Sequence, residues 1–335
     1  MHWFRLGAAI AAGLAIAGCV TAPSSTYHLV GSLPLSDGGW DYASIDPALH
    51  RLYVARTDAV TAVDLETHRV TPKLAAAARG HEVLPLAGGT VLMVTNGTSG
   101  IAQFIDATTG AELASIKVGA GPDAAILDPA SGLVAVMNHG GGTVTLIDPR
   151  TRTVTAEIEV GGALEFAAMD PAGRLFVNDE DAAEMAVVDV GKHKLVTRIK
   201  LEGCEGPTGL AYLEISKRML ASCANEVAAL VDPKTMKFER TLPIGRGADA
   251  VIHDHTRKMA FIPAGQSGDL TIFADEASGV RRIGKVTTHT GARTGAVDEK
   301  TGRLYLPAAD YNPPAVAGGR PQIRPGTVVL VEIDP

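Results

Sequence analysis

The sequence is poor in the residue types that usually announce a function. Aromatic residues are 4% of its 335 positions, and Trp3 and Trp40 are the only tryptophans. That scarcity argues against a base-stacking platform for single-stranded nucleic acid. A formal charge of −7 argues the same way, because an acidic surface repels phosphates. The three cysteines, Cys19, Cys204 and Cys223, form no Cys-x-x-Cys pair. There is no serine nucleophile elbow, no His-Glu-x-x-His and no glycine-rich phosphate loop. The apolar stretch Leu6–Ile16 falls short of the roughly 20 residues a spanning helix needs. Enzymatic and nucleic-acid readings therefore start at a disadvantage.

What the chain does have is glycine, 37 of them, and a repeat. Residues 119–160 show the unit best. Four apolar runs, Asp123–Leu127, Leu133–Met137, Thr143–Ile147 and Thr153–Val160, are separated by Asp-Pro and Gly-rich turn signals. Short runs rich in Val, Ile and Thr between such signals read as a meander of β-strands. In the last run Val154, Ala156, Ile158 and Val160 alternate with polar residues, giving one dry face and one wet face. One such sheet cannot bury its faces alone, so copies of it must stack.

Aligning the residue that opens each unit gives Asp41, Glu82, Asp123, Glu165, Thr208, Asp249 and Thr294, in steps of 41 to 45 residues. Four short strands on a period of roughly 40–45 residues are the signature of a propeller blade. The expected fold is all-β: a seven-bladed β-propeller with four antiparallel strands per blade. The final unit ends in a third strand, Gly326–Asp334, and has no fourth. Residues 27–35 have the character of a fourth strand without a blade, since Leu33-Pro34-Leu35 matches Leu242-Pro243-Ile244. The N-terminal strand is expected to complete blade 7 and close the ring, leaving only short outer edges. Residues 27–335 then form a single domain.

The motifs Arg51-Leu52-Tyr53-Val54, Arg174-Leu175-Phe176-Val177 and Arg303-Leu304-Tyr305-Leu306 recur on this period, the first followed by Val63-Asp64-Leu65-Glu66-Thr67. In these the chain resembles the YVTN-repeat (YncE-like) seven-bladed β-propellers, over nearly everything after residue 27. The resemblance implies the fold and no shared active site. It also implies single-stranded DNA binding as a further alternative, against which the charge and the scarce aromatics stand.

Residues 1–18 read as a targeting segment. Ile16-Ala17-Gly18-Cys19 resembles a bacterial lipobox, which implies lipidation of Cys19, with 19–26 as a tether. Val20 lacks the acidic signal for inner-membrane retention, so the resemblance points to the periplasmic face of the outer membrane or the cell surface. Acyl chains at ~0.8 kcal/mol per buried methylene would hold it there. The alternative is an ordinary secretory signal cleaved near Ala22. In an oxidising envelope, Cys204 and Cys223, expected on adjacent strands at one rim, are candidates for a disulfide.

Function is expected at the rim shared by the unit-opening residues and the loops after each second strand. Asp41, Glu82, Asp123, Glu165 and Asp249 put five carboxylates in one layer around the axis, completed by Thr208 and Thr294. At roughly 8–10 Å and an effective dielectric near 20, each like-charged neighbour costs about 2 kcal/mol. The ring should hold a cation, pair with basic groups or keep some members protonated. The competing role is structural: an Asp opening a strand can cap backbone amides. Asp179, Glu180 and Asp181 are weak candidates for a hard divalent cation such as Ca²⁺. His81 and His139 lack further His or Cys at ligand spacing and give thin support for a transition-metal site. No cofactor is firmly implied.

The insertion 307–325 in blade 7 carries five prolines, Tyr311, Arg320 and Arg324, and reads as a semi-stiff arm. Its arginines, with Arg293, are expected to face the acidic ring. The reading that follows is a monomeric, non-catalytic binding or scaffolding module for a peptide, glycan or small cationic ligand. The alternative is a Ca²⁺-dependent lactonase-like hydrolase.

Overall fold

A computed structural model describes residues 26–314 and 321–335; the targeting segment, Cys19 and Arg320 lie outside the described residues. Seven four-stranded antiparallel sheets make seven blades in a ring. The innermost strands are Trp40–Asp46, Gly80–Leu86, Pro122–Leu127, Leu164–Met169, Pro207–Leu213, Ile252–Asp254 and Ala296–Val297. Six sheets are simple meanders. In the seventh, His28–Pro34 lies outside Val329–Asp334, which pairs with Leu304–Ala308, which pairs with Ala296–Val297. The N-terminal strand thus completes blade 7, in a register running from His28 opposite Asp334 to Pro34 opposite Val329.

The repeated aspartates at the turns act locally. Asp46 Oδ1 accepts the amide of Ala48 at 2.8 Å, and Asp106 Oδ1 accepts that of Thr109 at 2.7 Å. Asp128, Asp170, Asp232 and Asp298 cap their turns in the same way. A short side chain that mimics a backbone turn explains why the sequence repeats Asp at these points.

The core is distributed between blades. Tyr53 and Val60 of blade 1 pack with Val83, Leu92 and Ile105 of blade 2. Phe176 and Val187 of blade 4 meet Met219 and Val231 of blade 5. The few aromatics are spent here: Tyr53, Phe104, Phe176, Phe261 and Phe273 are fully buried. Such stacking is how one long chain keeps a single domain without one oversized core.

Two expectations need correction. In blades 6 and 7 the inner strand begins at Ile252 and Ala296, later than Asp249 and Thr294. The approach to blade 7 is too close for a side chain: a Cβ on Gly295 would lie 2.3 Å from Leu306 Cδ2. The blade 7 insertion is also not simply an extended arm, because Tyr311–Asn312 pairs with Gln322–Ile323 as a two-stranded ribbon.

A clasp recurs where each second strand ends. Arg56, Asn96, Asn138, Asp179 and Cys223 occupy equivalent ladder positions, opposite Trp40, Gly80, Pro122, Leu164 and Pro207. Arg56 donates to the carbonyls of Ser36, Gly38 and Gly39, and Asn96 Oδ1 accepts the amide of Ala78 at 2.6 Å. Asp179 accepts from the amide of Ala163 and from Arg198. In blade 5 the same position is covalent, with Cys223 bonded to Cys204. In blades 1, 2, 4 and 5 the residue ties the loop entering the blade to that blade's second strand, whereas Asn138 in blade 3 donates to Thr143 and Thr145 of the third strand.

Candidate functional site

In five blades the inner strand breaks ladder register at the same place, just after its first residue. The residues released from pairing are Asp41-Tyr42, His81-Glu82, Asp123-Ala124, Glu165-Phe166 and Thr208-Gly209. Bulges re-aim side chains, and here they turn the ring residues towards the axis. Hydroxyls from the second strands take over the freed amides: Thr95 Oγ1 accepts from Glu82 N at 2.9 Å, and Ser222 Oγ from Gly209 N at 3.1 Å.

Three of the carboxylates interleave with the two histidines. His81 Nδ1 lies 2.5 Å from Asp41 Oδ2 and 3.4 Å from Asp123 Oδ2. His139 Nδ1 lies 2.9 Å from Glu165 Oε1. Asp41, His81 and Asp123 form one group, and Asp123, His139 and Glu165 a second, each with donor atoms within 4.8 Å of one another. Gly97 makes room for this, since a Cβ there would stand 2.7 Å from His81 Nε2. The imidazole edge therefore lies against backbone, and Nδ1 faces the acids.

Protonation follows from burial and crowding. Burial, then the charges of Glu165 and Asp41, pushes Asp123 well above the usual carboxylate range. Burial carries Glu165 up to about 7 against the pull of His139. The close contact with the Glu165 carboxylate carries His139 up to about 9, and burial only partly opposes it. For His81 burial disfavours the charged ring, but Asp41 and Asp123 outweigh it and the pKa rises.

The other expected residues divide. Asp249 pairs with Arg293 Nε at 2.7 Å, and Arg293 also donates to the carbonyl of Trp40. Burial still leaves Asp249 raised, although Arg293 opposes it. Thr294 Oγ1 donates to the carbonyl of Asp41 at 2.7 Å. Glu82 holds a ring position but lines the cavity beneath the ring, buried and raised well above its ordinary range by burial. Arg324 does not reach the carboxylates. The ribbon sets it opposite Asp310, and it pairs with that residue through both side chain and backbone. Tyr311 stands at the rim beside Arg293, Asp249 and Glu180, lining a cavity of about 930 Å³.

Asp179, Glu180 and Asp181 do not converge. Among the described residues the groups able to hold a metal include none of them. Asp179 is used up by its clasp, with Arg198 Nη1 at 2.7 Å and the amides of Ala163 and Ala182 at 3.1 and 3.3 Å. Asp181 is exposed.

Two pore residues escape the sequence reading. Tyr42 and Phe166 pack at a tilt of 51° with centroids 4.9 Å apart, joining blades 1 and 4 across the axis. Tyr42 is 5% exposed and its hydroxyl has no partner among the described residues. Burial, followed by the charges of Asp249, Glu165, Asp123 and Asp41, raises its pKa well above normal. The signal was present. The residue after each unit-opening position is Tyr42, Val83, Ala124, Phe166, Gly209, Ala250 and Gly295, so two aromatics stand among small residues.

Beneath this pair is a second cavity of about 520 Å³, lined by Tyr42, Glu82, Phe166 and His253. Neither ring nitrogen of His253 has a partner among the described residues, and its ring lies 4.2 Å from that of His255. Burial, then the charge of His255, lowers its pKa to about 4. In the unfolded chain a histidine takes its proton near 6.5, so His253 stabilises the fold above that pH. The contribution falls away as pH drops from 6.5 towards 4, at about 1.4 kcal/mol per unit and about 3 kcal/mol in all. Thermal melts of His253→Phe at pH 7.5 and pH 4.5 should therefore lose less stability on acidification than the parent. Equal acid sensitivity in the two would refute the assignment.

No protein-family model matches the chain, and no curated protein matches it. Among solved structures it is similar to a chain in the crystal structure of the mitotic checkpoint complex. That match has a TM-score of 0.70 and 15% identity, covering 92% of this chain and 95% of the other. It is also similar to a chain of hydrazine synthase from Kuenenia stuttgartiensis, with a TM-score of 0.68 and 15% identity over 82% and 94%. At that identity the likeness shows the fold alone, a seven-bladed β-propeller.

Proposed function

We propose that this β-propeller is a non-catalytic binding module that takes a small cationic ligand at its acidic mouth. One observation supports this above the others. Of the five ring carboxylates, only Glu82 accepts a backbone amide among the described residues, from Val83 at 3.1 Å. Capping therefore does not account for Asp41, Asp123, Glu165 and Asp249. The turn aspartates do that work elsewhere in the blades, and the ring acids face histidine and arginine side chains instead of backbone amides. Crowded carboxylates raised by burial gain most from an incoming positive charge. The rim cavity offers Glu180, Asp249 and Tyr311, a volume suited to a small molecule.

In this reading the module belongs to the YVTN-repeat (YncE-like) propellers and is tethered through a lipidated Cys19 at the periplasmic face of the outer membrane or the cell surface. It works there as a monomer. The test is calorimetric titration of the protein with spermidine, beside citrate as an anionic control. Spermidine should bind, citrate should not, and Glu180→Gln should weaken spermidine several-fold. Glu180 serves because its carboxylate lines the cavity without holding a clasp. Absence of spermidine binding, or equal binding of citrate, would overturn the reading.

A further inference from the structure

We infer that Asp123 is the shared ligand of a site for a divalent transition-metal ion of the zinc class, with Asp41 and His81 as one flanking donor pair and His139 and Glu165 as the other. This rests on the mouth being a cation site and names the kind of cation. Four successive blades contribute: Asp41 from the first, His81 from the second, Asp123 and His139 from the third, Glu165 from the fourth.

The donor chemistry sets the class of ion. Imidazole nitrogen with carboxylate oxygen suits zinc and its first-row neighbours, whereas calcium and magnesium take oxygen-only sets. The spacing is close to what coordination needs. Donors about 2.0–2.1 Å from a tetrahedral ion stand about 3.4 Å apart. His81 Nδ1 and Asp123 Oδ2 already lie at 3.4 Å, and only Asp41 Oδ2, at 2.5 Å, must draw back. His139 Nδ1 and Glu165 Oε1 at 2.9 Å need a smaller adjustment. Each set supplies three protein donors, which leaves a position open for an exogenous ligand.

Two further observations point to an occupant. The hydroxyl of Tyr42, in a residue 95% buried, has no partner among the described residues and feels the charges of Asp249, Glu165, Asp123 and Asp41. A buried hydroxyl without a partner inside an acidic cluster can be satisfied by a bound ion's water. The guanidinium nearest the ring, Arg293, is bound to Asp249 and the carbonyl of Trp40. It leaves the three carboxylates of the donor sets with only His81 and His139 as partners, and a divalent ion bound there would replace the protons those two rings carry on Nδ1.

The experiment uses the full chain, stripped with chelator, reloaded with zinc or cobalt(II) and freed of unbound metal. Retained zinc is measured by elemental analysis, and cobalt by its visible ligand-field absorption, which reports nitrogen and oxygen donors at low coordination number. Zinc should be retained, excess calcium should not displace it, and the cobalt form should absorb. Asp123→Asn should weaken binding by more than the roughly 10–100-fold that losing an outer-shell partner costs. His81→Gln and His139→Gln should each alter the cobalt spectrum. Cooperative melting of each variant shows that it folds. If no metal is retained, or Asp123→Asn retains it as the parent does, the inference is overturned. Spermidine titration separates the failures: if spermidine binds and zinc does not, the metal site falls and the cationic mouth stands.

Discussion

Removing residues 26–35 is expected to lower the melting temperature by more than 10 °C, an effect out of proportion to one mostly exposed strand. His28–Pro34 buries little of its own surface, but it supplies the partner for every residue from Val329 to Asp334. Without it, blade 7 ends in a bare edge carrying Val329, Leu330, Val331 and Ile333, an open template for pairing with another chain. Tyr27 anchors the segment, 7% exposed, with its ring 4.9 Å from that of Phe261 in blade 6. Leu33 and Leu35 pack into the interface between blades 7 and 1. A protein beginning at Ser36 should melt more than 10 °C lower and form concentration-dependent oligomers on gel filtration. A peptide spanning residues 26–35 should restore part of the loss. In the intact chain, Tyr27→Ala should cost about 3–5 kcal/mol, in line with other large-to-small aromatic substitutions. If the shortened protein melts at the parent temperature as a monomer, the ring does not depend on this strand.

Asp179→Ala should be the most damaging single change at the rim, at about 3–5 kcal/mol in urea unfolding. The carboxylate side chain is 1% exposed and receives Arg198 and two amides. Its removal leaves Arg198, which also donates to the carbonyls of Val160 and Gly161, with only the longer contact to Glu184 at 3.4 Å as counter-charge. The loop it holds is built around it: Gly162 has φ +85°, and a Cβ there would lie 1.9 Å from Asp179 Oδ2. Asp179→Asn keeps an acceptor for the Ala163 amide and should cost less. Neither change should reduce zinc retention. A wild-type urea midpoint for Asp179→Ala would remove the clasp from the account of stability, and zinc lost on Asp179→Asn would return that acid to the ligand set.

The ring and its closure were legible because they are written in one dimension. A period of 41–45 residues, turn aspartates and matching third-strand ends fix the blade count, and the unmatched strand at 27–35 can go only to the blade that lacks one. The site was legible as a layer, not as a constellation. Opening residues repeat, so Asp41, Asp123 and Glu165 could be assigned to one ring. Which of them meet depends on the bulge that turns His81 and the acids off the ladder, and a break in pairing register leaves no mark on composition. His81 and His139 looked isolated because their partners come from neighbouring blades, some 40 residues away in sequence. Arg324 was misread for a related reason. Its partner is set by the ribbon Tyr311–Asn312 with Gln322–Ile323, and two-residue strands have no periodicity to detect.

The contact between Tyr42 and Phe166 has a consequence for traffic through the molecule. The two rings, 4.9 Å apart and drawn from blades 1 and 4, narrow the pore between the carboxylate mouth and the cavity that His253 lines. A ligand too bulky to slip past them has to depart by the opening it entered, so its residence time would be governed by that lip.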